Sequence, residues 1–307
     1  MNLLQVAKTF ATEDMALAYW ITTRWPSGVR CLACDNAKVY AITTKGKTGK
    51  VCRLFECSGC GLHFSATTGT LFHDSHLPLT KWFAAIALMV EAKKGMSANQ
   101  VARHIGVSYK TAWHLCHRIR NAMSEAESPM LGGPGKIVEV DETFIGGKSR
   151  GKGCKAAKQA KIAVLGIAER GGRIHLKTIP NTTASAIHPI LNERINSDTD
   201  KFSTDAAKVY GNAFPTGKHQ KTKHKFEVRQ KGFIESTRTI ESAFSLFKRG
   251  IVGSYHKMSR DHMDSYLQEF CWRFNRRHMQ PYLFDIALRN LGEHDPLPFK
   301  KLTHEVF

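Results

Sequence analysis

The chain has no apolar run long enough to cross a bilayer. Its longest, Trp82 to Val90, falls far short of the roughly 20 residues a spanning helix needs. Acidic side chains are also scarce. Against 45 lysines and arginines stand 26 aspartates and glutamates, giving a formal net charge of +19 and a pI near 9.7. Such an imbalance points to a polyanionic partner, and without a membrane segment the expected polyanion is nucleic acid. The opening residues, Met1-Asn2-Leu3-Leu4-Gln5, show no basic region leading into an apolar stretch, so no secretory signal is expected. The expectation is a soluble protein of the cytoplasm, associated with the nucleoid. No internal repeat and no long low-complexity tract interrupts the 307 residues. Hydrophobic residues make up 42%, enough to core two domains or three small ones.

Eight cysteines are present, and four of them form the pairs Cys31-Leu32-Ala33-Cys34 and Cys57-Ser58-Gly59-Cys60. Inside a cell, paired cysteines suggest metal rather than disulfides. Two such tight turns brought together give a closed site of four thiolates, which holds zinc and leaves no position for water. Cys52 and His63 lie nearby as substitutes for a ligand, or as neighbours in a strand and a turn. A module this small cannot build a core without its metal.

From Pro78 to Met123 the pattern is helical. The run Trp82 to Val90 is apolar nearly all round and reads as a buried helix. Ser97 and Ser108 are placed to cap two further helices, with Gly106 supplying the turn between them and Ala102 leaving room for a close crossing. This is a helix-turn-helix pattern. Its second helix would expose Tyr109, Lys110, His114 and Arg118 and bury Ala112, Leu115 and Ile119. A basic, polar face suits the major groove and its phosphates. An ordinary helical hairpin is the alternative. Ser124 to Gly135, with two prolines and adjacent glycines, reads as a linker.

Strand-like and helical runs alternate from Lys136 to about His278. Asp141 lies in Lys136 to Gly147, an alternating run that stops at glycines. Asp205 ends a second strand-like stretch, Lys201-Phe202-Ser203-Thr204. Glu241 begins a helix in which positions 240, 243, 244, 247 and 251 form an apolar stripe. Glu241, Ser245 and Lys248 follow along an adjoining face. Carboxylates from two strand ends and one helix can hold a pair of divalent ions for phosphoryl transfer. Lys248 could contact a DNA phosphate, or be a solvated charge favoured by the helix dipole. Glu139 shares the face of Asp141 and is a reserve ligand, whereas Glu142 points to the other face. The basic stretch Lys218 to Lys231, with Lys223 and Lys225 inside it, is a solvated loop or a DNA-contacting one. After Pro281 one short helix, Asp285 to Leu291, is expected.

Together these segments resemble the DDE transposases of bacterial insertion sequences, in the subfamily with an N-terminal zinc ribbon and an ISXO2-like catalytic domain. The matching residues are the two cysteine pairs, Thr68-Gly69-Thr70-Leu71-Phe72, Val140 to Gly147, Ile240-Glu241-Ser242, Lys248-Arg249-Gly250, Gly253-Ser254-Tyr255-His256, Glu269-Phe270 and Arg273 to Arg277. Ser236-Thr237-Arg238 departs from the stretch the family often carries before its third catalytic residue. The resemblance implies an α/β fold. A zinc ribbon (1–75) and a helix-turn-helix (76–124) are followed by a linker (125–136), an RNase H-like core of mixed sheet and flanking helices (137–280) and a tail (281–307). It implies Asp141, Asp205 and Glu241 as ligands of two Mg2+ ions, with Mn2+ as a substitute, and Lys248 as an assisting residue. One structural Zn2+ is implied, with Arg249 among the DNA contacts. The expected partner is double-stranded DNA, the terminal inverted repeats and the target, held by a dimer or higher oligomer. Two other readings share these features: a DNA-binding regulator with an inactive nuclease-like domain, and a nuclease of the same fold that cuts without joining.

Overall fold

The computed structural model describes residues 1–45, 51–124, 128–146, 161–205, 207–222 and 237–304. These group into two compact units. The first holds Met1–Ala92, Met96–Met123 and Met279–Phe307; the second holds Lys93–Gly95 and Ser124–His278.

The first unit begins with helices α1 (Leu3–Thr9) and α2 (Glu13–Arg24). Thr12 caps α2, and Glu13 and Asp14 sit in its first turn, where the helix dipole favours anions. An antiparallel sheet follows, ordered β1 (Val39–Lys45), β2 (Val51–Cys57), β3 (His63–Phe64). Cys52 and His63 fall in these strands, and the His63 ring faces Glu56. Helix α3 (Leu79–Glu91) is buried over most of its surface, as its apolar run demands. Helices α4 (Ala98–Ile105) and α5 (Tyr109–Ala122) make the helix-turn-helix. The Ser97 and Ser108 hydroxyls accept the N–H groups of Gln100 and Thr111, and Gly106 turns the chain at φ 63°.

Residues 281–307 hold two helices, α9 (Leu283–Glu293) and α10 (Phe299–His304), and they belong to this first unit. Leu283, Phe284, Ala287, Leu288 and Leu291 of α9 are buried, and Phe284 packs its ring on Phe10 and Phe83.

The second unit is built on a five-stranded sheet in the order β6-β5-β4-β7-β8. The strands are β4 (Ile137–Ile145), β5 (Ile162–Glu169), β6 (Ile174–Ile179), β7 (Lys201–Asp205) and β8 (His219–Thr222). β4, β5 and β6 pair antiparallel, while β7 and β8 run parallel to β4. Helix α6 (Ala184–Arg194) lies between β6 and β7 in the chain, and α7 (Arg238–Gly250) and α8 (Met263–Asn275) follow β8. This order, three antiparallel strands then two parallel ones with helices on both faces, is the RNase H-like arrangement.

Alternation along the strands sorts the side chains into two cores. Val138, Val140, Leu165, Ile167 and Phe202 pack with Ile187 and Leu191 of α6. Val164, Ala168, Ile174 and Leu176 pack on the opposite face with α7 and α8. Part of the expected linker joins the first of these cores. Leu131 is buried there and bridges to Ile195, because its backbone N–H and carbonyl are taken by Arg194 and Asn196.

Candidate active site

Asp141 and Asp205 are brought side by side by the register of β4 and β7. Val140 pairs with Thr204 in parallel, so the next residue on each strand is an aspartate on the same face of the sheet. Asp205 ends its strand, as expected. Asp141 does not: β4 continues to Ile145, still paired with β5. The opening at Asp141 arises because β7 stops there, not because β4 does. The Glu142 N–H donates to Asp141 Oδ1 at 2.8 Å, and the Ala207 N–H to Asp205 Oδ1 at 3.0 Å.

Helix α7 supplies the third carboxylate. Its stripe Ile240, Ala243, Phe244 and Phe247 is buried against the sheet, which leaves Glu241, Ser245 and Lys248 facing outward along one edge. With Asp141, Thr143 and Arg249 they line an open cleft of about 590 Å3. Thr237 Oγ1 donates to Glu241 Oε1 at 2.7 Å. The Lys248 ammonium donates to the hydroxyl of Thr143, two residues along the strand from Asp141. Burial holds the pKa of Lys248 down, Asp141 draws it up, and Lys161 adds to the lowering. Burial also pushes the Asp141 carboxyl up to about 7, with repulsion from Glu142, Asp205 and Glu241 contributing.

Three residues make this geometry possible without standing out in the sequence. Gly166 pairs across from Asp141, and a Cβ there would lie 2.5 Å from both Ile240 Cδ1 and Phe244 Cζ. Its missing side chain lets α7 settle close to the sheet beside Asp141. Glu139, expected as a reserve ligand, is 0% exposed and accepts four hydrogen bonds. They come from the N–H of Thr239 at 2.7 Å, its hydroxyl at 2.9 Å, the N–H of Ile240 at 3.1 Å and Arg170 Nε at 3.0 Å. Helix α7 has no side-chain cap of its own at Thr237, so Glu139 satisfies its first amides from the neighbouring strand. It ties the strand of Asp141 to the helix of Glu241, and these four bonds occupy its carboxylate. Its spacing of two from Asp141 was the available signal. The third residue, Lys94, lines the cleft although it precedes the helix-turn-helix in the chain. Glu142 faces the other side, where Tyr210 donates to it.

The cysteine cluster lies in the first unit. The Sγ atoms of Cys31, Cys34, Cys57 and Cys60 all fall within 4.8 Å of one another, the one such group of potential metal ligands among the described residues. The Cys31–Cys60 and Cys34–Cys57 separations are both 3.5 Å, close to the about 3.8 Å that four thiolates at about 2.3 Å from a tetrahedral zinc require. Backbone N–H groups of Ala33 and Gly59 point at Cys31 and Cys57. The Cys57 thiol is held down to about 6, chiefly by the N–H of Cys60, with that of Gly59 assisting. Donor type, spacing and these amides fit a structural zinc ion.

Helix α5 exposes less than its sequence suggested. Tyr109 and Lys110 are exposed in its first turn, with the Lys110 ammonium 4.8 Å from the ring centre of Phe299. Arg118 is buried, only 6% exposed, and donates to the carbonyls of Leu297, Leu71 and His73. His114 is half-buried, donates to the same Leu297 carbonyl at 3.0 Å and packs edge-on to Phe299. Both were expected on an open face. The segment from Leu297 to α10 covers that face, so they hold the fold of this unit instead. Lys223 and Lys225 lie outside the described residues.

Comparison with known proteins agrees with this arrangement. Residues 130–275 match the model of the ISXO2-like transposase domain, and residues 11–63 match that of the transposase zinc-ribbon domain. The chain carries an ISXO2-like transposase domain preceded by a transposase zinc ribbon. It is also similar to an uncharacterized protein in the transposable element ISH50 of Halobacterium salinarum. The two are 28% identical over 284 residues, covering 86% of this chain and 91% of the relative. For this transposase, the matched transposase domain contains Asp141, Asp205, Glu241, Glu139 and Glu142. The zinc-ribbon match contains all four clustered cysteines.

Proposed function

We propose that this transposase binds the terminal inverted repeats of an insertion sequence as double-stranded DNA, cuts the transposon ends and joins them to target DNA. The observation that carries this reading is that Asp141, Asp205 and Glu241, from two adjacent parallel strands and one helix, lie near enough for their charges to interact, with Asp141, Glu241 and Lys248 lining one cleft. Three oxygen donors that repel one another suit Mg2+, with Mn2+ as its substitute, and together they would hold two ions. Bound there, the pair would supply activation of the attacking oxygen and neutralisation of charge on the leaving one.

The chain's own residues do the rest. Asp141 feels the charges of both other carboxylates. Glu139 keeps Glu241 in range by fixing the first turn of α7. Lys248, steadied by Thr143, presents a cation to the phosphate being cut, and Arg249 and Lys94 extend the positive lining. Cutting and joining are both displacements at phosphorus, so one site serves both. The net charge of +19 supplies phosphate contacts along the duplex. Tyr109 and Lys110 in the first turn of α5 are positioned to contact bases. A dimer or larger assembly on the nucleoid would bring two ends together.

The test is an end-cleavage and strand-joining assay with Mg2+ or Mn2+. Asp141→Asn, Asp205→Asn and Glu241→Gln should each lower both products by orders of magnitude and leave repeat binding intact. Lys248→Ala should have a milder effect. Cutting without joining would identify a nuclease. Binding without cleavage, unchanged by Asp141→Asn, would identify a regulator.

A further inference from the structure

A second cleft, also of about 590 Å3, lies on the far side of Lys248. Ile162 and Met258 contribute to its apolar floor, and Lys248, His256, Lys257 and Arg260 place nitrogen groups around it. Among the described residues no acidic side chain lines it. The volume is within the about 300–1,000 Å3 of small-ligand sites and cannot admit a stacked duplex. Lys248 and Val252 line both this cleft and the carboxylate cleft, so the two share a lip.

That lip has an unusual construction. Val252 is 75% exposed, the most exposed large apolar side chain among the described residues. It stands on a π turn, Ile251–Tyr255, which closes at His256 with φ 59°, a left-handed conformation that side chains other than glycine avoid. The turn is anchored from beneath. The Tyr255 hydroxyl donates to Glu269 at 3.0 Å, and Glu269 is paired with the buried Arg273. Gly95 makes room for the same ring, since a Cβ there would lie 1.8 Å from the hydroxyl. A buried ion pair and a glycine thus hold in place a strained turn whose outer side chain is apolar and faces solvent. Packing within the unit does not call for that exposure.

We propose that the second cleft takes one unpaired nucleotide from the DNA strand next to the cleavage position. Its base would rest on the apolar floor and its phosphate among Lys248, Lys257 and Arg260. Val252 would act as the wedge that keeps it out of the helical stack. Apolar wedges are a recurrent means of holding an opened base step, and apolar pockets of receiving the displaced base. The assignment rests on the proposed DNA cleavage function, because Lys248 is what places the second cleft next to the scissile phosphate.

Two duplexes of one sequence provide the test: one blunt, the other with three unpaired nucleotides at one strand end. Binding is measured by fluorescence anisotropy in Ca2+, with full-length protein. The wild type should bind the frayed duplex about tenfold more tightly than the blunt one, the scale of one stacked base. Val252→Ser should bring that ratio close to one, and so should the Lys257→Ala, Arg260→Ala double variant. All three positions are exposed, so folding should be retained. Equal binding of both duplexes by the wild type would overturn the proposal, as would a ratio unchanged in both variants. Failure to bind either duplex would remove the underlying reading as well.

Discussion

The two groups of ligand residues are built in opposite ways. The cysteines come from two short turns, each of which delivers its pair of thiols with only local backbone geometry, and all four sulfurs already lie within 4.8 Å of one another. The carboxylates come from positions 141, 205 and 241, and nothing local relates them. Asp141 meets Asp205 only through the register of β4 and β7. Glu241 comes near enough to Asp141 to raise its pKa because α7 lies close on the sheet at Gly166 and is held there by Glu139. One group carries its geometry in the sequence spacing. The other takes it from a whole domain. Damage to the first should therefore be local and depend on metal, and damage to the second should pass through residues that never touch the ligand.

The largest effect expected is at the zinc cluster. Apparent zinc affinities in such modules are worth about 10–16 kcal/mol of folding free energy. Purified protein should carry one zinc per chain, and Cys57→Ser should lose it, as measured by elemental analysis. Residues before about Asp74 should then become sensitive to protease while the catalytic unit stays resistant. Full retention of zinc by that variant would break the contrast at its simpler end.

An intermediate effect is expected at Glu139. Removing one partner of a buried ion pair typically costs about 3–5 kcal/mol, so Glu139→Ala should unfold at markedly lower urea concentration. Glu139→Gln keeps the shape and part of the bonding, and should cost about 1–3 kcal/mol. In both variants zinc content should be unchanged and DNA cleavage reduced, with more Mg2+ needed to reach half-maximal rate. A Glu139→Gln enzyme with normal cleavage and normal Mg2+ demand would show that the cap does not position Glu241.

The effect confined to the narrowest conditions is a pH dependence at Asp141. Its carboxyl titrates at about 7 in the folded protein, against about 3.9 for an unperturbed aspartate. A raised carboxyl pKa stabilises the fold at low pH, and that contribution is lost as pH rises through about 7. Asp141→Asn should therefore raise the Tm of metal-free protein at pH 8 and change it little at pH 4. Thermal melts in chelator at the two pH values would check this, and a variant less stable at pH 8 would reverse the sign.

The same contrast explains how far the sequence could be read. The cysteine pairs, the serine caps of α4 and α5, and the apolar stripe of α7 were legible because each is a local pattern with a fixed period. The two aspartates and Glu241 were legible as candidates through their motif context. The roles of Glu139 and Gly166 were not, since each depends on a helix that arrives a hundred residues later in the chain. Arg118 and His114 misled for a related reason. Helical spacing placed them on a polar face, but the segment around Leu297 and Phe299 packs over that face, and Arg118 satisfies backbone carbonyls there. Helical periodicity reports which residues share a side, and it cannot report what lands on that side from elsewhere in the chain.

The first unit is assembled from segments far apart in the sequence, with Phe284 closing an aromatic group that contains Phe10 and Phe83. On the ribosome, which adds about 5–20 residues per second, the whole catalytic unit emerges before α9 exists. The helix-turn-helix must therefore wait, with its apolar faces incompletely covered, until α9 has been made. A chain stopped after residue 278 would hold Asp141, Asp205, Glu241 and all four clustered cysteines, yet its first unit would lack part of its core.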